Sequence, residues 1–203
     1  MQRTDNDNPP ASGKAAWRER IRAERAGVPQ EQRDAEASAL ARNLSEIQAA
    51  TVCFYVPFDT EPGSRALLDV LSRQGSRVLL PVIPDAAGPL DWAEYSGPSS
   101  LATGVFPPVL EPTGPRLGPH AVREADVVLV PALAVDRVGV RLGKGGGYYD
   151  RSLVLASRET RFVAVVRDSE LVDRLPSEPH DVRMHAALTP GRGLVSLAER
   201  PEV

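Results

Sequence analysis

Short runs of β-branched and aromatic residues alternate along this chain with segments of helical pattern, and that alternation restricts the fold more than any other feature. "ATVCFYVPF", "SRVLLPVI", "ADVVLVPALAV", "RFVAVV" and "RMHAALT" read as strands, the first ending near Pro57. Each is too short and too apolar for a surface helix. Between the first two, "PGSRALLDVLSRQG" is helical, with Pro62 early and Gly75 at its C-terminal end. "YYDRSLVLASR" is a further helix before "RFVAVV". Continuous apolar strands separated by helices predict a largely parallel sheet covered on both faces, a three-layer α/β/α architecture. Two helices precede the first strand. Lys14 to about Ala26 carries a narrow stripe through Trp17 and Ile21, framed by Ala16 or Glu24. About Gln30 to Gln48 turns Ala35, Leu40, Leu44 and Ile47 inward. From about Pro84 to His120 the rhythm breaks. That stretch is dense in Pro and Gly yet holds "LDWAEYS", which alternates like an exposed strand. It is expected to form an excursion over a cleft.

Composition excludes several alternatives. A chain of 203 residues, 42% of them hydrophobic and 25% charged, can bury one sizeable core without a metal or disulfide. The single cysteine, Cys53, rules out an internal disulfide and a multi-cysteine zinc site. His120, His180 and His185 are too scattered to suggest a metal cluster. A net charge of −3 speaks against nonspecific nucleic-acid binding, although "KAAWRERIRAERAG" is locally basic. No apolar run approaches the roughly 20 residues that span a membrane. Residues 1–13 are expected to be a disordered tail and 14–203 a single domain, in the cytoplasm. No apolar interface stripe stands out from the helix faces, so a monomer is expected.

The densest chemistry lies in "RVGVRLGKGGGYYDRSL", Arg137 to Leu153. Glycines clustered after the strongest strand and just ahead of a helix let backbone N–H groups approach an anion, and the helix start adds its positive end. Lys144, Arg141 and Arg151 are cations suited to phosphate. The spacing is neither a Walker loop, G-x-x-x-x-G-K-[ST], nor a dinucleotide fingerprint, whose last glycine falls on Tyr148. A structural hairpin also fits, because Val138 and Val140 alternate with polar residues into the turn.

The longer stretch "VPALAVDRVGVRLGKGGGYYDR" closely resembles the signature of the 5-formyltetrahydrofolate cyclo-ligase (5,10-methenyltetrahydrofolate synthetase) family, R-[LI]-G-x-G-x-G-Y-Y-D. "KAAWR" resembles that family's Lys-x-x-x-Arg on a first helix. "FYVPFDTEPGS" resembles its strand leading to a glutamate, and "LPSEPHDVRMHAALTP" its closing segment. The resemblance implies a fold like that of sugar-phosphate isomerases and CoA-transferases. It also implies an ATP- and Mg2+-dependent ring closure of 5-formyltetrahydrofolate to 5,10-methenyltetrahydrofolate, through phosphorylation of the formyl oxygen. Lys14, Arg18 and Arg141, Leu142, Gly143, Lys144, Gly145, Gly146, Gly147, Tyr148 and Tyr149 are the implied ATP contacts. Tyr55, Val56, Glu61 and Tyr148 are implied for folate, Glu61 and Lys144 for catalysis, and Asp150 and Asp181 for the metal. Trp92 and Tyr95 either close over the ligand or belong to a surface strand.

The sequence departs from the family pattern in "EPGS", where Ser64 replaces threonine, at Lys144, where arginine or an apolar residue is common, and at Gly146, which is lysine in some members. A phosphosugar isomerase-like enzyme and a paralogue that binds folate or nucleotide without turnover are the alternatives.

Overall fold

The computed structural model describes residues 13–198; of the expected tail, residues 1–13, residues 1–12 lie outside the described residues, and Gly13 instead opens the first helix. Two helices open the fold, α1 (Gly13–Ala26) and α2 (Gln30–Leu44). On α1 the buried residues are Trp17, Ile21 and Arg25, spaced by four and therefore on one face. Glu24, expected to frame that stripe, is exposed, and so is Ala35 on α2. The second helix stops at Leu44 rather than Gln48, and Ile47 is buried beyond its end.

The alternating pattern then builds a seven-stranded sheet. Its strands are β1 (Thr51–Cys53), followed after helix α3 (Ala66–Arg73) by β2 (Arg77–Val82) and β3 (Asp91–Glu94). A small two-stranded sheet comes next, β4 (Leu101–Thr103) with β5 (Leu110–Pro112). The chain returns to the main sheet at β6 (Val127–Pro131), then leaves it through β7 (Ala134–Asp136) and β8 (Arg141–Leu142). Helix α4 (Tyr148–Leu153) and strand β9 (Arg161–Val165) follow, with β10 (Leu171–Val172), β11 (Ala186–Thr189) and β12 (Gly193–Ser196) completing the fold.

The main sheet runs β12-β11-β9-β6-β1-β2-β3. Its five central strands are parallel, and the two edges, β12 and β3, are antiparallel to their neighbours. Successive residues of each strand feed opposite faces, as pleating requires. Val52, Leu129 and Leu188 join Leu40, Leu44, Leu67 and Leu71 of α2 and α3 on one side. Cys53, Val128 and Ala187 join Val122 and Leu153 on the other, so both faces are covered. A third cluster packs Trp17 and Ile21 of α1 on Ala134, Val140 and Leu142. No helix among the described residues is long and apolar enough to cross a membrane.

Several local expectations change. The first strand ends its ladder at Cys53, although Phe54 to Val56 continue buried and the Phe54 N–H still donates to the Leu79 carbonyl at 2.9 Å. Pro62 precedes α3 by a loop, because the helix begins only at Ala66. "ADVVLVPALAV" divides at Ala132 and Leu133 into β6 of the main sheet and β7 of a three-stranded sheet, β10-β7-β8. "YYDRSLVLASR" is helical only to Leu153. The largest change concerns "LDWAEYS". It is no exposed excursion but the edge strand β3, with Trp92 fully buried and Tyr95 nearly so. Tyr95 donates its hydroxyl proton to Asp69 at 2.8 Å, and burial with that bond pushes its pKa up to about 12. Neither aromatic ring lies over the cleft.

Candidate active site

At the carboxyl ends of the parallel strands, where open α/β sheets bind ligands, lies a cavity of about 430 Å³. The chain builds its walls from five places. Helix α1 presents Lys14 and Arg18. The segment after β1 presents Tyr55, Val56, Phe58 and Glu61. Pro131 and Ala132 floor it where β6 gives way to β7. The glycine loop with the start of α4 forms one side, and Glu178, His180 and Asp181 another. Ile83, Leu90, Val109 and Leu110 add an apolar wall.

The glycine loop has the hairpin before it and the helix after it that its sequence suggested. It leaves an antiparallel hairpin, β7–β8, and enters α4. Gly145 (φ +109°) and Gly147 (φ +67°) take backbone angles that side chains disfavour, which is how the loop turns without a strand. Among the described residues, the N–H groups of Gly145, Gly146 and Gly147 donate no hydrogen bond to the backbone. Helix α1 grips the loop from outside: Arg18 Nε donates to the Gly143 carbonyl at 2.9 Å and Arg22 Nη2 to the Lys144 carbonyl at 3.1 Å. Leu142 departs from the expected set. Its side chain is buried against Trp17 and Ile21, and it does not line the cavity. The alternation of β8 sends Arg141 inward to the site and Leu142 to the core.

Three of the cations expected to meet phosphate, Lys14, Arg141 and Lys144, are paired with carboxylates of the same cavity, whereas Arg18 and Arg151 donate to backbone carbonyls. Lys144 Nζ lies 2.8 Å from Glu61 Oε1 and 4.0 Å from the centre of the Phe58 ring. Glu61 Oε2 also accepts the Phe58 N–H at 3.2 Å, and the residue is only 9% exposed. Arg141 Nη2 donates to Asp150 Oδ1 at 2.6 Å. Lys14 Nζ donates to Asp181 Oδ1 and Glu178 Oε2, both at 2.8 Å. Burial opposes the Lys14 charge, but its hydrogen bonds to Asp181 and Glu178 outweigh it and raise the Lys14 pKa. Burial would likewise raise Asp181, yet Lys14 and the Glu178 N–H hold its carboxyl below the usual range. Lys14 lowers Glu178 in the same way.

Two tyrosines are held neutral by burial. Tyr55 donates its hydroxyl to the Pro62 carbonyl at 3.1 Å, and desolvation, reinforced by the nearby Glu61 charge, pushes its pKa well up. Desolvation does the same for Tyr149. The Tyr149 hydroxyl is buried with no hydrogen-bond partner among the described residues, a polar atom that a ligand group can satisfy.

The two expected metal ligands are not brought to one point. Glu178, His180 and Asp181 hold ligand atoms within 4.8 Å of one another, while Asp150 lies outside that group, on Arg141. Glu178 and His180 were not anticipated, although "EPHD" places three donor side chains within four residues. The two carboxylates fit a magnesium ion, a hard cation that takes oxygen and keeps several waters. The His180 imidazole suits softer metals better.

These features can be set beside known proteins. The model of the 5-formyltetrahydrofolate cyclo-ligase family matches residues 10–190. The 5-formyltetrahydrofolate cyclo-ligase of Mycolicibacterium smegmatis is 52% identical over 179 residues, 85% of this chain and 91% of that protein. The Escherichia coli K12 protein of that name is 34% identical over 173 residues, 83% and 94% of the two chains. In fold, a 5,10-methenyltetrahydrofolate synthetase from Aquifex aeolicus superposes with a TM-score of 0.78, at 24% identity, over 94% of this chain and 95% of its own. One from Mycoplasma pneumoniae superposes at 0.68, with 18% identity over 86% and 96%.

Proposed function

The chain belongs to the 5-formyltetrahydrofolate cyclo-ligase family, and from that membership and the geometry of the cavity we propose that it closes 5-formyltetrahydrofolate to 5,10-methenyltetrahydrofolate with ATP as the second substrate. The γ-phosphoryl group passes to the formyl oxygen, giving ADP. N10 of the folate then attacks the activated carbon, loses its proton, and phosphate departs with the former formyl oxygen. Phosphoryl transfer needs positioning and charge stabilisation more than covalent chemistry.

The observation that carries this reading is the paired-charge cavity beside a glycine loop whose N–H groups are uncommitted. Phosphates entering the loop meet the N–H groups of Gly145 to Gly147 and draw Lys144 and Arg141 away from their carboxylates. Lys144 leaving Glu61 exposes a carboxylate that accepts N–H groups of the reduced pterin, with the Tyr55 ring and Val56 beside it. Lys144 then stabilises the transferring phosphoryl group while Glu61 orients the folate. Lys14 and Arg18 lie on the nucleotide side, with Tyr148 and Tyr149 between the two ligands. Asp181 and Glu178 would hold magnesium, with Asp150 reaching the nucleotide end once Arg141 has turned to phosphate. The ion would supply charge neutralisation on the phosphates.

The test mixes purified protein with 5-formyltetrahydrofolate and Mg-ATP and follows the ultraviolet absorbance of methenyltetrahydrofolate. A rise that requires ATP and magnesium, and that is lost in Glu61→Gln and Asp150→Asn, is expected. A flat trace from a folded protein that still binds ATP would sink the ligase reading.

A further inference from the structure

Beneath the folate side of the cavity lies a cluster of four charged side chains that the reaction itself does not use. Arg25 closes α1 and is 2% exposed; Glu170, in the short 3-10 turn before β10, is equally buried. They form a two-point pair, Nε to Oε1 at 2.7 Å and Nη2 to Oε2 at 2.8 Å. Arg167 adjoins them. Its N–H donates to Glu170 Oε2 at 2.8 Å, and its Nε donates to Glu36 Oε2 of α2 at 2.7 Å. The cluster thus joins α1, α2 and the segment after β9.

Ion clusters of this kind are poor sources of stability. Apolar side chains of similar volume often hold a core as well or better, because burying charge is costly. What a guanidinium does that a leucine cannot is fix a carbonyl oxygen at a defined point. This cluster fixes two, one on the cavity floor and one in the residue that precedes Glu61. Arg167 Nη1 donates to the Thr60 carbonyl at 3.0 Å, and Thr60 immediately precedes Glu61. Arg25 Nη2 donates to the carbonyl of Ala132, on the cavity floor, at 2.6 Å. The loop between β1 and α3 has no ladder to hold it, so the Thr60 contact supplies a restraint that secondary structure does not. Arg25 also feels the site electrostatically: burial opposes its charge, while Glu170 first, then Tyr55 and Glu61, raise its pKa.

We propose that Arg167 is a positioning residue that, through the Thr60 carbonyl, sets the place and direction of the Glu61 carboxylate for the reduced folate, with Glu36 and Glu170 aiming its guanidinium. The inference rests on the folate role of Glu61 given above. Displacing that carboxylate by about 1 Å weakens the geometry it presents, and misplacements of this size cost on the order of 100-fold.

The experiment measures equilibrium binding of 5-formyltetrahydrofolate and, separately, of ATP to Arg167→Met, Arg167→Lys, Glu36→Gln, Glu61→Gln and the double variant Arg167→Met with Glu61→Gln, each checked by circular dichroism. Arg167→Met is expected to weaken folate binding by about 10- to 100-fold and to leave ATP binding within about twofold. Arg167→Lys recovers part of the loss, and Glu36→Gln, which keeps the Thr60 contact but removes the charge that holds the guanidinium on one side, gives a smaller loss in the same direction. In the Glu61→Gln background Arg167→Met adds little, the signature of coupled residues. Equal losses for folate and ATP would make the cluster merely structural and overturn the proposal. Full additivity with Glu61→Gln would also overturn it. Should Arg167→Met fail to fold, Glu36→Gln decides on the same folate-to-ATP ratio. Unchanged folate binding in Glu61→Gln alone would overturn the role of Glu61 and this inference with it.

Discussion

Asp136 is fully buried at the end of β7, and its carboxylate holds three backbone N–H groups. Oδ1 accepts from Val138 at 3.0 Å and Val140 at 2.8 Å; Oδ2 accepts from Leu175 at 3.0 Å. The first two shape the turn that delivers β8 and the glycine loop. The third anchors the segment leading to Glu178 and Asp181, so one side chain ties together two walls of the cavity. Each buried donor left without a partner costs about 1–3 kcal/mol. Asp136→Ala strands the two buried donors, Val140 and Leu175, and leaves the half-buried Val138 to solvent; it should cost about 2–6 kcal/mol, a large part of a typical domain's stability of about 5–15 kcal/mol. Asp136→Asn keeps the oxygen for Val138 and Val140 but turns an amide N–H toward the Leu175 donor, stranding one at about 1–3 kcal/mol. Urea unfolding followed by circular dichroism measures both. Asparagine should retain most of the stability and the alanine variant should be marginal. Indistinguishable midpoints for the two variants, or an alanine variant within about 1 kcal/mol of the wild type, would refute the acceptor count as the reason for this aspartate.

Gly139 (φ +81°) belongs to the same turn, and a Cβ there would meet the Met184 carbonyl oxygen at 2.4 Å, whereas at Gly75 (φ +88°) a Cβ meets nothing within 4 Å. Gly75→Ala should therefore lose only the left-handed backbone cost of about 1–2 kcal/mol, and Gly139→Ala distinctly more. Thermal unfolding at about 2–4 °C per kcal/mol separates them, and equal losses would discount the Met184 contact. The Lys14–Asp181–Glu178 clasp sets a pH window. Asp181 is depressed from its ordinary 3.8, so its contribution is present above that value and lost as pH falls through the lower folded pKa. Lys14 is raised from 10.5, so its contribution is full below that value and lost as pH rises through the higher folded pKa. The stability difference between wild type and Lys14→Met should hold level from about pH 5 to 9 and shrink outside it; a difference still changing at neutral pH would contradict the assignment.

The parallel sheet was legible because strands buried on both faces must be apolar throughout, and Val127 to Val130 and Phe162 to Val165 are. The edge strand β3 was not, since its alternation resembles a surface strand and Trp92 is buried among Ala121 and Val122 of the 3-10 turn at Pro119–Glu124 and Leu153 of α4, all remote in sequence. Along α1 the spacing of Trp17, Ile21 and Arg25 was visible, but an arginine at a helix end reads as solvated until Glu170, 145 residues away, is placed against it. The site was legible where local motifs carry it: Lys14, Arg18 and the glycine loop do line one cavity with Glu61 and Asp181. Leu142 misled because a signature marks consecutive residues, whereas a strand sends only alternate ones to the ligand.

The clasp also dictates when a site can exist during synthesis. Lys14 and Asp181 are 167 positions apart. A ribosome adding about 5–20 residues per second makes the second roughly 8–33 s after the first. Until β8 and the glycine loop are made, Trp17 and Ile21 have nothing to cover them, and the acidic partners of Lys14 come only at the end of the interval. No nascent intermediate contains the cavity, so substrate can stabilise only a chain made through to Asp181 and beyond. Ligand present in the cell thus acts on the finished protein's survival and not on the early course of its folding.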